Sequence, residues 1–189
     1  MRLLLAALLA LGLIQSAYAN PNFELGPAVG VEAPSIGTPD DHTGKPRSLE
    51  SLMGENGLVL LFYRSAAWCP YCQTQLMDLN KGVSEIEKRG YTLVGVSYDA
   101  PKVLAGFVSK RSIKYPLLSD PKSEIIDRYG LRDPQYKAGS FAYGVPQPII
   151  LFIDRKGVVT AKLYEDTYKK RPPVGLVIET LDNLKLARK

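Results

Sequence analysis

The sequence predicts an α/β protein in which a central mixed β-sheet is flanked by helices on both faces. Short apolar segments alternate with segments of helical spacing through the middle of the chain. Near the end, two apolar segments at 149–153 and 158–163 flank the turn sequence Asp154-Arg155-Lys156-Gly157. The alternation predicts parallel neighbours in the sheet, and the hairpin adds antiparallel ones.

The elements follow from local patterns, taken in chain order. The first strand, 58–63, is almost wholly apolar, as expected of a strand buried on both faces. The next segment, 73–89, has apolar residues at helical spacing and is followed by Gly90, which predicts a helix that stops there. The remaining predicted elements are strand 91–98, helix 101–111, an extended piece 115–118, helix 122–129, the hairpin and a last helix 173–186.

The N-terminal residues 1–19 have the pattern of a secretory signal. Arg2 precedes an apolar core at 3–14, and Ala17-Tyr18-Ala19 supplies the small residues of a cleavage site. We expect cleavage after Ala19, a single domain over residues 20–189 and a periplasmic or secreted location. The apolar core is short for a bilayer span, so no stable membrane insertion is expected after cleavage; an uncleaved anchor is the alternative.

The charge of the chain is mildly basic and scattered. There are 24 Lys and Arg against 19 Asp and Glu. Removing residues 1–19 takes away Arg2 alone and leaves 23 against 19, a net charge of +4. Groups such as Lys169-Lys170-Arg171 are interpreted as solvated surface. This distribution does not favour a nucleic-acid partner.

The only two cysteines lie in Trp68-Cys69-Pro70-Tyr71-Cys72, between the first strand and the first long helix. Cysteines at this spacing at the start of a helix are about one turn apart, close enough for a disulfide. The helix N-terminus favours an anion, so Cys69 is predicted to be the nucleophile and the better shielded Cys72 the resolving residue. Pro70 suits the first helical position, where no N–H is needed.

Three other uses of the cysteines compete with a redox-active dithiol. A purely structural disulfide gains little from so short a loop. Structural zinc would need four ligands, whereas the chain offers two cysteines and His42, so no metal site and no cofactor are predicted. Copper binding through the two thiolates is the reading from a different functional class, since soft sulfur suits Cu(I).

Together, the motif and the order of elements resemble the thioredoxin superfamily, and within it the alkyl hydroperoxide reductase and thiol-specific antioxidant family, a peroxiredoxin-like branch. The resemblance spans about residues 29–163. The segments that carry it are Gly30-Val-Glu-Ala-Pro34, Leu58-Val-Leu-Leu-Phe-Tyr-Arg64, Trp68-Cys-Pro-Tyr-Cys72, Val94-Gly-Val-Ser-Tyr-Asp99, Tyr115-Pro-Leu-Leu-Ser-Asp120 and Pro148-Ile-Ile-Leu-Phe-Ile-Asp154.

The resemblance implies a second part of the site, a cis-proline that faces the dithiol. By its spacing to the following strand this proline is Pro148, preceded by Gln147, with Pro146 as the competing choice. The residue before the proline then offers its backbone to a bound partner. The predicted substrate-binding residues are Trp68, Pro70, Tyr71, Gln147 and Pro148.

Two chemistries compete within this family. Typical peroxiredoxins place Thr or Ser three residues before the peroxidatic cysteine, where this chain has Ala66, and favour proline after Phe-Tyr, where it has Arg64; Ser65 and Arg64 are candidate substitutes. The sequence therefore favours an exported thiol–disulfide oxidoreductase with an antioxidant role, and a hydroperoxide-reducing peroxidase that uses Cys69 is the alternative.

The partner of either activity is a protein disulfide or dithiol, or a hydroperoxide, together with an electron donor that the sequence does not identify. The direction of electron flow is open. The long segment 132–144 is expected to cover the site, because simple connections are shorter.

Overall fold

The computed structural model describes residues 24–187. The predicted signal segment and its cleavage site therefore lie outside the described residues. Within the described range, no helix is long and apolar enough to cross a bilayer.

Within residues 24–187, five strands form one mixed sheet. They are β1 (Gly57–Phe62), β2 (Tyr91–Ser97), β3 (Leu117–Ser119), β4 (Ile149–Asp154) and β5 (Val159–Leu163). Their spatial order is β3-β2-β1-β4-β5, with β1, β2 and β3 parallel, and β4 antiparallel to both β1 and β5. The predicted parallel half and the terminal hairpin are both confirmed.

Helices cover both faces of the sheet. They are α1 (Leu49–Leu52), α2 (Pro70–Lys81), α3 (Val83–Lys88), α4 (Pro101–Arg111), α5 (Glu124–Arg128) and α6 (Val174–Ala187).

Strand β1 shows how its sequence builds two cores. Successive side chains of a strand point to opposite faces, so an all-apolar strand serves both. Val59 and Leu61 pack into the cluster that holds the two cysteines and residues of α2, α4 and α6. Leu58 and Leu60 pack into the opposite cluster, which includes residues of α1 and α5. The prediction of a strand buried on both faces is confirmed.

The helix predicted over 73–89 is wrong in its continuity. Two helices, α2 and α3, meet at Gly82, whose N–H donates to the Leu79 carbonyl. A Cβ atom at Gly82 would lie 2.2 Å from Cγ2 of Val174. The first residue of α6 therefore approaches the chain at the point where the two helices separate.

The predicted cis-proline is also wrong, because no cis peptide bond occurs within residues 24–187, so Pro146 and Pro148 both follow trans bonds. The Gln147 N–H donates to the Leu131 carbonyl at 2.7 Å, and Pro146 forms an antiparallel bridge with Arg132. This extended pairing uses the trans form that X-Pro bonds ordinarily prefer.

Candidate functional site

The two cysteines form a disulfide at the N-terminus of α2. Their Cα atoms are 5.2 Å apart. Cys69 is the N-cap residue, and its Sγ accepts a hydrogen bond from the Cys72 N–H at 3.3 Å; Pro70 is the first helical residue, as predicted. Cys69 is 2% exposed and Cys72 is 0% exposed. The expected contrast between an accessible Cys69 and a shielded Cys72 is therefore absent in this oxidised state.

A buried carboxylate fixes the loop that leads from β1 to Cys69. Asp99 accepts hydrogen bonds from the Ser65 hydroxyl and the Ala66 N–H, both at 2.7 Å, and from the Ser97 hydroxyl at 2.9 Å. Ser65 Oγ in turn accepts from the Ala67 N–H at 3.0 Å. Burial raises the pKa of Asp99, although these hydrogen bonds lower it in part. The oxygen of Ser65 is thus engaged in holding the loop.

Arg64 is a buried cation enclosed by aromatic rings. Its guanidinium carbon is 4.2 Å from the ring centroid of Tyr168, 4.9 Å from that of Tyr136 and 5.1 Å from that of Trp68. The guanidinium also donates to the Tyr136 hydroxyl. Arg64 forms no salt bridge with any residue in the range 24–187. Cation–π contacts of this kind stabilise a desolvated charge without neutralising it.

A second arginine contacts the disulfide itself. An Nη2 hydrogen of Arg171 points to Cys72 Sγ at 3.6 Å, while Nη1 donates to the carbonyls of Tyr168 and Lys170. Its Nε is buried without a hydrogen-bond partner. Burial, together with repulsion from Arg64, lowers the pKa of Arg171 to about 10, so the side chain is still charged at neutral pH. The group Lys169-Lys170-Arg171 is therefore not wholly the solvated surface that the sequence indicated.

Aromatic side chains surround this charged centre. Trp68 Nε1 donates to the Tyr98 hydroxyl at 2.9 Å, and the Trp68 ring packs edge-on against Phe141, with centroids 5.1 Å apart. Tyr71 is 41% exposed and packs edge-on against Tyr168. Phe141 is 76% exposed. Because Tyr136 and Phe141 contact Arg64 and Trp68, the segment 132–144 does lie against the site.

Gln147 and Pro148 lie to one side of the dithiol. They line a cavity together with Tyr168, whose ring contacts Tyr71 and Arg64. The Gln147 N–H is already bonded to Leu131. The Gln147 N–H is therefore not free to pair with a partner in the way the resemblance implied.

Sequence reasoning missed Asp99, Tyr168 and Arg171 as parts of the site. Asp99 could have been found, because carboxyl ends of neighbouring parallel strands meet at one sheet edge and Asp99 closely follows the strand next to β1. The other two have no local signal, since they follow β5 and return to the dithiol only through the tertiary fold.

No group of three or more His, Cys, Asp or Glu side chains suited to a metal occurs within residues 24–187. His42, the only histidine of the chain, is engaged with β3: its Nδ1 accepts from the Leu117 N–H at 3.3 Å. Within the described residues, the structure therefore shows no further metal-ligating side chain grouped with the two cysteine sulfurs.

Comparison with known proteins relates this chain to the peroxiredoxins, which carry out thiol-based redox chemistry. The chain matches the AhpC/TSA family over residues 29–162. It is 28% identical over 127 residues to peroxiredoxin Bcp of Escherichia coli, covering 67% of this chain and 79% of that protein. Over 106 residues it is 33% identical to peroxiredoxin bcp1 of Schizosaccharomyces pombe, covering 56% of this chain and 53% of that one.

Solved structures share the fold. Peroxidoxin BcpB from Mycobacterium tuberculosis superposes with a TM-score of 0.70 at 23% identity, covering 85% of this chain and 98% of that one. A variant of peroxiredoxin 6 of Arenicola marina gives a TM-score of 0.77 at 17% identity, covering 87% and 76% of the two chains.

The solved structures give the chain a thioredoxin-like fold. The peroxiredoxin relatives and the paired cysteines define an oxidoreductase with thiol-based redox chemistry. Within that class, the chain belongs to the AhpC/TSA family. Its relatives support a peroxiredoxin-like redox function, which favours the alternative reading of the sequence over disulfide exchange.

Proposed function

We propose that this protein is an exported peroxidase of the peroxiredoxin type, in which Cys69 reduces a hydroperoxide and Cys72 resolves the oxidised product. The observation that carries the proposal is the Cys69–Cys72 disulfide at a helix N-terminus, in a chain with peroxiredoxin relatives. Such a disulfide is the product expected when a second thiol attacks an oxidised first one.

The proposed reaction has two oxidative steps. The Cys69 thiolate attacks one peroxide oxygen, the O–O bond breaks, and the alcohol or water leaves with a proton while Cys69 becomes a sulfenic acid. The Cys72 thiolate then attacks Cys69 Sγ, the S–O bond breaks, and hydroxide leaves as water after gaining a proton. The helix N-terminus stabilises the Cys69 thiolate in the first step.

Regeneration needs two electrons from an external thiol or dithiol reductant. A thiolate of the reductant opens the disulfide, and a second one completes the reduction. The aromatic side chains of Trp68, Tyr71 and Phe141 offer a partly exposed apolar surface for that partner. We infer a periplasmic or secreted setting from the N-terminal pattern, which mass determination of the exported protein tests: a mature chain that begins at Asn20 is expected.

Disulfide exchange with proteins is the second candidate, since Ala66 stands where typical family members have Thr or Ser and Ser65 is engaged by Asp99. The reduced protein is mixed rapidly with hydrogen peroxide, an organic hydroperoxide or a disulfide-bonded protein, and Trp68 fluorescence follows the oxidation. Peroxide oxidation at least a hundredfold faster than that of a free thiol is expected. Peroxide oxidation at the free-thiol rate, combined with rapid reaction with the protein disulfide, would replace the peroxidase with the exchanger.

Cysteine variants test the roles of the two sulfurs. We expect Cys69→Ser to abolish peroxide turnover. Cys72→Ser should consume one equivalent of peroxide and then accumulate a sulfenic acid or a mixed disulfide at Cys69, detected by mass spectrometry. Peroxide turnover that survives loss of Cys69 would refute the mechanism.

A further inference from the structure

The segment between β5 and α6 returns across the dithiol. The Tyr168 ring packs edge-on against Tyr71 with centroids 6.1 Å apart, and the Arg171 guanidinium reaches Cys72. At the start of α6 the Val174 N–H donates to Asp78 on α2 at 2.9 Å, which holds the segment in place. This segment lies beyond the family match, which ends at residue 162.

We infer that Arg171 is a catalytic residue that stabilises the thiolate of Cys72. The inference rests on the proposed disulfide chemistry and assigns a role within it. Arg171 serves Cys72 twice: when Cys72 attacks oxidised Cys69, and when Cys72 is the sulfur that leaves as the disulfide opens.

Charge balance supports this assignment. In the disulfide state Cys72 Sγ is neutral, and Arg171 forms no salt bridge with any residue in the range 24–187. A partly buried cation without a counterion is unfavourable. Reduction places a negative charge on the sulfur that the guanidinium already touches, so an ion pair forms where none existed.

The neighbouring charges point the same way. Arg171 also lines a cavity next to Tyr71, and the other charged residues of that cavity are Asp78, Lys81 and Lys169. The Asp78 carboxylate accepts hydrogen bonds from the Val174 N–H and from Lys81. Arg64, which follows β1, adds a second positive charge near Arg171 and lowers the pKa of Arg171 by repulsion. Arg171 is therefore the cation that contacts Cys72, and the charges near Arg171 are mostly positive.

The reductive step can be written in full. A reductant thiolate attacks Cys69 Sγ and forms a new S–S bond, the Cys69–Cys72 bond breaks, and its electron pair remains on Cys72 beside Arg171. A second reductant thiolate then attacks the reductant sulfur of the mixed disulfide and releases the Cys69 thiolate. Since a thiol of lower pKa leaves faster, Arg171 accelerates the first of these steps.

The direct test is the ionisation of Cys72 in a Cys69→Ser background, followed by thiolate absorbance against pH. We expect a Cys72 pKa clearly below the ordinary value of about 8.5. Adding Arg171→Gln should raise it by at least one unit, a tenfold loss of thiolate at low pH, whereas Arg171→Lys should largely restore it. Arg155→Gln, which removes an exposed arginine of the β4–β5 turn, is the control and should have no effect.

A second test uses the protein with both cysteines, equilibrated with reduced and oxidised glutathione and followed by Trp68 fluorescence. Arg171→Gln should shift the equilibrium at least tenfold toward the disulfide, which corresponds to about 30 mV for this two-electron couple.

A Cys72 pKa at or above about 8.5 with Arg171 intact would overturn the inference whether or not the Arg171 variants fold. An equilibrium that Arg171→Gln leaves unchanged would overturn it as well. Neither test uses peroxide. Failure of peroxide turnover alone would remove the proposed peroxidase function and leave the role of Arg171 standing.

Discussion

Two buried aspartates of this protein illustrate how local hydrogen bonds decide the sign of a pKa shift. Asp99 is buried beside the dithiol loop, and desolvation raises its pKa above 3.8 despite three hydrogen bonds. Desolvation also acts on Asp41, but hydrogen bonds from Thr43 and Lys45 outweigh it and lower the pKa. The two carboxyl groups should therefore give opposite pH dependences of stability.

Replacing Asp99 with Asn should reduce the free energy of unfolding by about 1–3 kcal/mol, because the amide NH2 is a donor and would face the donors Ser65, Ala66 and Ser97. A raised native pKa means that the contribution of Asp99 is fully present below the unfolded pKa and is lost as pH rises through the native value. Urea unfolding should therefore show that the difference in free energy of unfolding between the wild type and Asp99→Asn becomes smaller from pH 3 toward pH 7.

Asp41→Asn is the matched control with the opposite sign. Because the native pKa of Asp41 is lowered, its contribution to the free energy of unfolding is present above pH 3.8 and is lost as pH falls through the native pKa. The difference in free energy of unfolding between the wild type and Asp41→Asn should therefore increase with rising pH. Parallel pH profiles for the two variants would contradict the assigned shifts.

At the scale of elements, the break between α2 and α3 lies at Gly82, where the start of α6 packs against the chain. The apolar spacing from Leu76 to Ile86 continues through Gly82, which is why the sequence indicates one helix. The Val174 side chain, at the start of α6, occupies the space that a Cβ atom at Gly82 would need. Valine has little freedom about χ1, so it cannot easily move aside.

Gly82→Ala should destabilise the protein by about 1–3 kcal/mol through overpacking against Val174. Gly106→Ala, in the middle of α4, is the control, since no atom lies within 4 Å of the added Cβ. There the higher helix propensity of alanine should increase stability by up to about 1 kcal/mol. Thermal and urea unfolding compare the two variants, and a stabilising effect at Gly82 would refute the close approach of α6.

At the scale of the whole molecule, α6 completes the core beneath the site. Its buried residues Val177 and Leu181 join the cluster that contains both cysteines. The helix also fixes the end of the segment that carries Arg171, through the hydrogen bond from Val174 to Asp78. Stability and the chemistry of the dithiol are thus coupled through residues that follow the family match.

Leu181→Ala should lower the free energy of unfolding by about 2–5 kcal/mol, because it opens a cavity in this cluster. Leu186→Ala, in the same helix but 67% exposed, should change it by less than about 0.5 kcal/mol. Urea unfolding measures both. Equal effects would mean that α6 does not pack as described.

Much of the fold follows from the sequence because its signals are local. An all-apolar strand must be buried on both faces, a Gly-containing turn between two apolar strands forms a hairpin, and Pro70 begins a helix. These features, and the closeness of Cys69 to Cys72, depend on residues only a few positions apart. The cis-proline expectation failed because it depended on resemblance, whereas the pairing of Gln147 with Leu131 uses trans bonds.

Local sequence patterns are enough to predict the mixed sheet, the dithiol at the start of α2 and the thiol-based class of chemistry. Which charges lie near the sulfur atoms depends instead on the tertiary fold. Arg171 lies 99 positions from Cys72, and Asp99 lies 34 positions from Ser65. Such pairs meet only when the sheet and its helices bring distant segments together, because side-chain electrostatics depends on distance in space and not on separation along the chain.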